Sequence, residues 1–321
     1  MQKSMLCGSR SFMPILVFLV GSAPALFAQD FKLAPGCTLP FADIAPSDDP
    51  FQSCGNCGVA SVKASPAQVS AKAYESQAKN NFCADASVVT VVDFSVLRAM
   101  QAQRVDKSQL SDRHVLHGLF QMPNGKTIGE GDVVRLKAWI LDAHVSDCPA
   151  GESVNCSKSG FANNDLHIPL LDPTVGDGRN QDECTSVTAE ISPHFRPAAW
   201  SDLDMKTPVK NVVRVTGPLF FDNSHQPCKT TNHTEPGNAA PFRSSLWEIH
   251  PVYGLEVCAN AEPGECDVNS KSAEEWIPYD KWVTRPDSLT QPTGKKQRSG
   301  CHPSAGGATK PIKCPASLTS D

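Results

Sequence analysis

Apolar and polar residues alternate along five segments of the chain, which is the pattern of β-strands that bury one face. The longest alternation runs from Val133 through Ile140, within residues 131–145. A polar link at residues 196–207, between the third and fourth segments, could hold one helical turn. Five strands with this insert predict a five-stranded OB-like Greek-key barrel over residues 127–258. The other four segments are residues 165–171, 186–195, 210–221 and 245–258.

A helical pattern precedes the strands and predicts an α-rich N-terminal region over residues 29–126. Ser65 can cap a helix, Pro66 suits its first position, and Gln68 completes a capping box. The alanine-rich stretch that follows would end near Cys83. Apolar residues at helical spacing predict a second helix at residues 93–103, after a strand-like segment at 87–92.

The two ends of the chain differ in composition from its middle. Residues 1–28 combine a positive start with a short apolar stretch, which predicts a signal peptide cleaved near Ala28, with Ala25 as the alternative. Tryptophans within residues 259–283 predict a packed extension. Residues 284–321 lack aromatic side chains and predict a flexible tail. No later segment is apolar enough to span a bilayer, so we expect an exported protein, periplasmic or extracellular.

Charge and cysteine content narrow the function classes. Without residues 1–28 the chain carries 27 basic and 34 acidic residues, a net charge of −7 that disfavours binding to nucleic acid. Cys7 lies in the predicted signal peptide, and the remaining even number of cysteines predicts disulfides in an exported chain. The spacing of Cys54 and Cys57 would also suit a redox or zinc site. The twelve candidates are Cys37, Cys54, Cys57, Cys83, Cys148, Cys156, Cys184, Cys228, Cys258, Cys266, Cys301 and Cys314.

Strand alternation also places acidic residues and histidines on one face. If the apolar residues of the second, third and fifth strands face the core, each strand turns a carboxylate and an imidazole outwards. In an OB-like barrel strand three neighbours both strand two and strand five, so the groups would share one outer patch. We name this set the acid–histidine cluster: Asp165, His167, Glu190, His194, Glu248 and His250. Asp222 and His225 would lie at its edge.

The acid–histidine cluster has three interpretations. Imidazole and carboxylate groups bind zinc or manganese, and an open metal site could activate water to hydrolyse a substrate such as a phosphodiester. The same groups could form an acid–base pair without metal. They could also only hydrogen-bond across strands, at ~0.5 kcal/mol for each pair. Because no nucleophile elbow, zincin motif or Walker loop marks a catalytic residue, the sequence favours a binding or structural protein over an enzyme.

Four phrases, NDLHIPL, TAEISPHFRP, VRVTGPLFFDNSH and WEIHPV, resemble an uncharacterised family of exported bacterial proteins with an OB-fold-like domain. The resemblance covers about residues 127–258, and it implies an OB-like fold but no activity. OB domains bind oligonucleotides or oligosaccharides on the face of strands two and three. Here that face is acidic and has few aromatic residues for stacking, so the partner classes left open are an oligosaccharide, a peptide or a protein.

Overall fold

The computed structural model describes residues 59–79, 88–103, 105–106, 110, 113–145, 151–158, 160, 163–175, 183–193, 196, 200, 211–228, 243–260, 265–285 and 309–311. The helices are α1 (Pro66–Lys79), α2 (Phe94–Ala102) and α3 (Tyr279–Trp282), with 3₁₀ turns at Arg113–Leu116 and Glu183–Thr185. The strands, in chain order, are β1 (Val59–Ser61), β2 (Thr90–Val92), β3 (Phe120–Gln121), β4 (Thr127–Ile128), β5 (Val133–Ile140), β6 (His144–Val145), β7 (Leu166–Leu171), β8 (Val187–Ile191), β9 (Val213–Phe221), β10 (Trp247–Ile249), β11 (Gly254–Cys258), β12 (Trp276–Pro278) and β13 (Thr309–Pro311).

Five strands close into a barrel, and each comes from one of the five segments predicted from the sequence. Around the barrel, β5 pairs with β7, β7 with β8, β8 with β10, β10 with β9, and β9 again with β5. The β8–β10 pair is parallel, and the other four pairs are antiparallel. The prediction of a mainly β fold with a five-stranded barrel, in which strand three meets strand five, is confirmed.

The fifth predicted segment, residues 245–258, is two strands rather than one. β10 pairs with β8 and β9, whereas β11 pairs with β9 and β12. Pro251 lies between them and has no N–H group to donate to a continuous ladder, so β10 ends before it. Gly217 of β9 faces this turn, and a Cβ atom at that position would lie 2.5 Å from the carbonyl oxygen of Pro251.

The predicted inward faces form the barrel core. Leu166, Ile168 and Leu170 of β7 pack with Trp247 and Ile249 of β10 in one hydrophobic cluster. Helix α2 closes this core with the buried side chains of Phe94, Val96, Leu97 and Met100. The opposite face of β7 and β8 is buried as well, because both strands are covered on their second side. The prediction that this second face is an outer surface is therefore wrong.

Helix α1 begins as predicted. Ser65 Oγ accepts a hydrogen bond from the Gln68 backbone N–H, and Gln68 Oε1 accepts one from the Ser65 backbone N–H. Pro66 is the first helical residue. This reciprocal pair satisfies two N–H groups that would otherwise lack partners, so the local sequence fixes where the helix starts.

The regions after the barrel add strands at two places. Within the predicted extension, β12 pairs with β11 and Trp276 is buried. Within the predicted tail, β13 pairs with β1, and most other tail residues lie outside the described residues. No helix in the described part of the chain is long and apolar enough to cross a membrane.

Two complete disulfides fall within the described residues and join segments around the barrel. Cys184 bonds Cys228, and Cys258 bonds Cys266. Cys156 is also disulfide-bonded. The predicted bridges at the other seven cysteines, including the Cys54–Cys57 motif, lie outside the described residues.

Candidate functional site

The acid–histidine cluster lies inside the protein instead of on its surface. Asp165, His167, Glu190, Glu248 and His250 are each at most 2% exposed. Strand register brings them together, because His167 on β7 is directly opposite Glu190 on β8. His194, the sixth predicted member, lies outside the described residues. Strand alternation thus predicted correctly which residues share a face, but it could not show that the face is covered.

His250 is the centre of the cluster. Its Nδ1 atom lies 2.6 Å from Glu190 Oε2, and its Nε2 atom lies 3.6 Å from Asp165 Oδ2. Ser192 Oγ is 3.2 Å from the same Nε2 atom. The ring also packs against Phe220, with 5.6 Å between ring centroids. One carboxylate on β8 and one just before β7 therefore flank an imidazole just after β10.

His167 connects the barrel to the segment at residues 151–158. Its Nε2 atom lies 3.4 Å from Glu152 Oε1 and 3.4 Å from Glu190 Oε1. Asn155 Nδ2 donates to Asp165 Oδ1 and to Glu152 Oε2, both at 2.8 Å. Glu152 Oε2 also accepts the backbone N–H of Asp165 at 2.9 Å. These bonds hold residues 151–158 over one side of the cluster.

Helix α1 covers another side and contributes a buried cation. Lys79 Nζ lies 3.3 Å from Glu190 Oε2 and 5.5 Å from the centroid of the Phe220 ring. One turn earlier, Glu75 Oε1 accepts a hydrogen bond of 2.7 Å from Ser224 Oγ. The last turns of α1 therefore contact the barrel through charged and polar groups.

The predicted edge residues extend the cluster through an arginine. Arg243 NH1 donates to Asp222 Oδ2 at 3.0 Å and makes a short contact with Glu248 Oε1. Asp222 Oδ2 makes a second short contact with His225 Nδ1. Arg243 thus joins Asp222 and His225, the two predicted edge residues, to Glu248.

Burial and neighbouring charges change the ionisation of the cluster. Burial and the nearby charge of Glu152 raise the pKa of Asp165 to about 6. Burial alone would also raise the pKa of Glu190, but the charges of His167, Lys79 and His250 outweigh it and hold this pKa well below its usual range. At neutral pH, Glu190 is therefore the fixed anion to which the surrounding cations are paired.

Burial and neighbouring charges also shift the pKa values of the groups around Glu190 in opposite directions. Burial would lower the pKa of His167, but the charge of Glu190 and the contact with Glu152 raise it. In return, a hydrogen bond with His167 lowers the pKa of Glu152 to about 2, against the effect of burial. His167 and Glu152 therefore stabilise one another as a charged pair.

Three of the predicted ligands lie close enough together to hold an ion. Asp165, Glu190 and His250 each present one ligand atom, and these atoms all lie within 4.8 Å of one another. His167 and Glu248 instead face Glu152 and Arg243. The cluster therefore divides into a possible ligand group of three residues and a set of ion pairs around it.

Sequence reasoning missed four of the residues that build the site: Lys79, Glu152, Asn155 and Arg243. They come from a helix and from loops, where no strand alternation indicates which way a side chain points. Lys79 follows Glu75 by one helical turn, which places both on one face of α1. That spacing is the signal in the sequence that could have indicated Lys79 as part of the site.

No protein-family model, curated protein or solved structure matches this chain. The resemblance to exported bacterial proteins with an OB-fold-like domain therefore stays a prediction.

Proposed function

We propose that the protein is an exported, disulfide-stabilised OB-like protein with a binding or structural role, and that its acid–histidine cluster fastens helix α1 to the barrel. The observation that carries this proposal is the burial of all five described cluster side chains beneath α1 and residues 151–158. A hydrolase needs substrate and water at its reacting groups. A network of ion pairs that is buried away from solvent supports a structural role for these groups.

The position of α1 also bears on ligand binding. OB domains bind their ligands on the face of strands two and three, which correspond here to β7 and β8. Lys79 of α1 contacts Glu190 on exactly this face of β8. A partner would therefore bind another surface of the barrel, or would displace α1.

Export is supported by two observations. The disulfides Cys184–Cys228 and Cys258–Cys266 fit an oxidising compartment, and the first 28 residues have the pattern of a signal peptide. Fractionation and N-terminal analysis of the expressed protein test this part of the proposal. We expect an exported form that begins near residue 29, and a cytoplasmic form with residues 1–28 intact would contradict it.

The closed cluster can be tested by chemical modification of histidines. The folded protein is treated with diethyl pyrocarbonate and the modified histidines are identified by mass spectrometry. We expect His114 and His117, which are exposed, to react, and His167 and His250 to stay unmodified. The same preparation is assayed for hydrolysis of an activated phosphodiester with added zinc or manganese. Equal reaction rates at all four histidines, or a hydrolysis rate abolished by Glu190→Gln, would overturn the structural role.

A further inference from the structure

We infer that Asp165, Glu190 and His250 form a buried binding site for one divalent metal ion, with zinc or manganese as the fitting ions. The inference rests on the proposed function, because it treats the cluster as a closed structural site. Carboxylate oxygen and imidazole nitrogen are donors that both ions accept. The three ligand atoms already lie within 4.8 Å of one another.

Unsatisfied atoms provide an independent reason. Asp165 Oδ2 and Glu190 Oε1 are buried and have no hydrogen-bond partner among the described residues. A buried carboxylate oxygen without a partner costs free energy, which a metal–oxygen bond would offset. The other oxygen of each carboxylate is already held, since Asn155 donates to Asp165 Oδ1 and Lys79 is paired with Glu190 Oε2. Each side chain is thereby fixed, and its second oxygen has no hydrogen bond but lies near an imidazole: Glu190 Oε1 is 3.4 Å from His167 Nε2, and Asp165 Oδ2 is 3.6 Å from His250 Nε2.

Charge balance favours the same conclusion. Glu152, Asp165 and Glu190 place three buried carboxylates around His167 and His250, and the cations paired with these carboxylates are Lys79 and the charged His167. A divalent cation would compensate the excess negative charge where Asp165 and Glu190 meet. His250 would supply one imidazole nitrogen, and Ser192 Oγ lies 3.2 Å from its Nε2 atom, where it can help to orient the ring.

The test is a calorimetric titration of the full mature protein, stripped with EDTA, with zinc and separately with manganese at pH 7.5. We expect one ion bound per chain. Asp165→Asn and His250→Ala should each weaken binding by at least about 100-fold, because even the loss of a group that only orients a ligand typically costs 10–100-fold. Asn155→Ala, which frees Asp165 Oδ1, should weaken binding by about 10–100-fold.

His114→Ala is the matched control, because His114 and His117 form an exposed histidine pair that could bind zinc at the surface. We expect this variant to bind the ion as the wild type does. Circular dichroism checks that each variant folds. If Asp165→Asn does not fold, Glu190→Gln replaces it as the second ligand variant. Binding lost in His114→Ala but kept in the ligand variants would overturn the metal site.

The outcomes separate the two proposals. No binding heat for either ion, with His250 still protected from diethyl pyrocarbonate, overturns the metal site and leaves the structural role standing. Binding at the three ligands together with hydrolysis that Glu190→Gln abolishes overturns the structural role and keeps the metal site. Binding without hydrolysis, with His250 protected, supports both.

Discussion

Lys79→Met removes the cation that α1 inserts into the barrel, and its expected effect can be worked out from burial. The Lys79 side chain is 10% exposed and its partner Glu190 is fully buried. Breaking a buried pair by removing one partner costs about 3–5 kcal/mol, because the remaining charge stays uncompensated. His167 and His250 still face Glu190 in the variant, so we expect a loss near the lower limit, about 3 kcal/mol.

Lys72→Met is the matched control on the same helix. Lys72 pairs with Glu75 at 2.9 Å within one helix, and its side chain is 28% exposed, whereas that of Glu75 is 3% exposed. Pairs of this spacing at the surface contribute about 0.3–0.5 kcal/mol, and because Glu75 is buried we expect the loss in Lys72→Met to reach about 1 kcal/mol. The two variants make the same chemical change, so the difference between them measures what burial against the barrel adds.

The assay combines urea unfolding with hydrogen exchange of the α1 backbone. We expect Lys79→Met to lower the unfolding free energy several times more than Lys72→Met and to increase exchange in Pro66–Lys79 before it affects β7 and β8. Adding Glu190→Gln to Lys79→Met should recover part of the loss, because the buried charge is then removed. Losses below 1 kcal/mol in both lysine variants, with no coupling to Glu190→Gln, would refute the role of the cluster in fastening α1.

Three other predictions concern charge, disulfides and the chain ends. Asp222 has a folded pKa below its usual range despite burial, because His225, Lys79 and Arg243 stabilise its charge. Ionised Asp222 therefore stabilises the fold above its unfolded pKa of about 3.9, and this contribution is lost as the pH falls below that value. Asp222→Asn should therefore destabilise the protein at pH 7 in urea unfolding, and a gap from wild type that does not shrink below pH 4 would contradict this. The loop entropy of the unfolded chain predicts that replacing both cysteines of Cys184–Cys228, which are 44 residues apart, lowers the unfolding free energy by about 4 kcal/mol. For Cys258–Cys266, which are 8 residues apart, the expected loss is about 2.5 kcal/mol. The opposite order in urea unfolding would contradict the estimate. Deleting residues 309–321 should speed hydrogen exchange at Val59–Ser61, which pair with β13, and leave β5 unchanged; unaltered exchange at β1 would show that the pairing is not formed in solution.

The barrel could be predicted from the sequence because the patterns that indicate its strands and the start of α1 each lie within a short stretch of the chain. Alternation of apolar residues in β7, β8 and β10 determines which side chains enter the core, and the capping box determines where α1 begins. The split at Pro251 was visible in principle, since proline cannot continue a ladder, but the alternation on both sides of it favoured a single strand.

The environment of the site could not be predicted, because it depends on contacts far apart in the chain. Lys79 and Glu190 are separated by 111 residues, and no periodicity connects them. A strand face with acids and histidines has the same pattern whether water or a helix covers it. Arg113 shows the same limit: a polar connection between helix and barrel predicts solvent exposure, yet its guanidinium is buried and paired with Glu130.

The two longer helices are attached to the barrel by different forces, and this difference gives the acid–histidine cluster its significance. Helix α2 buries Phe94, Leu97 and Met100 in the barrel core, where the loss of apolar contact opposes its release. Among the described side chains of α1, the buried apolar one is Ala73, which packs with Ala64 and Val69 of its own segment, while Glu75 and Lys79 make the described contacts with the barrel. Ion pairs and hydrogen bonds are directional, so they specify one position of α1 on β8 more strictly than an apolar surface would. Helix α1, which covers the β7–β8 face, therefore depends on a few charged groups for its attachment more than α2 does.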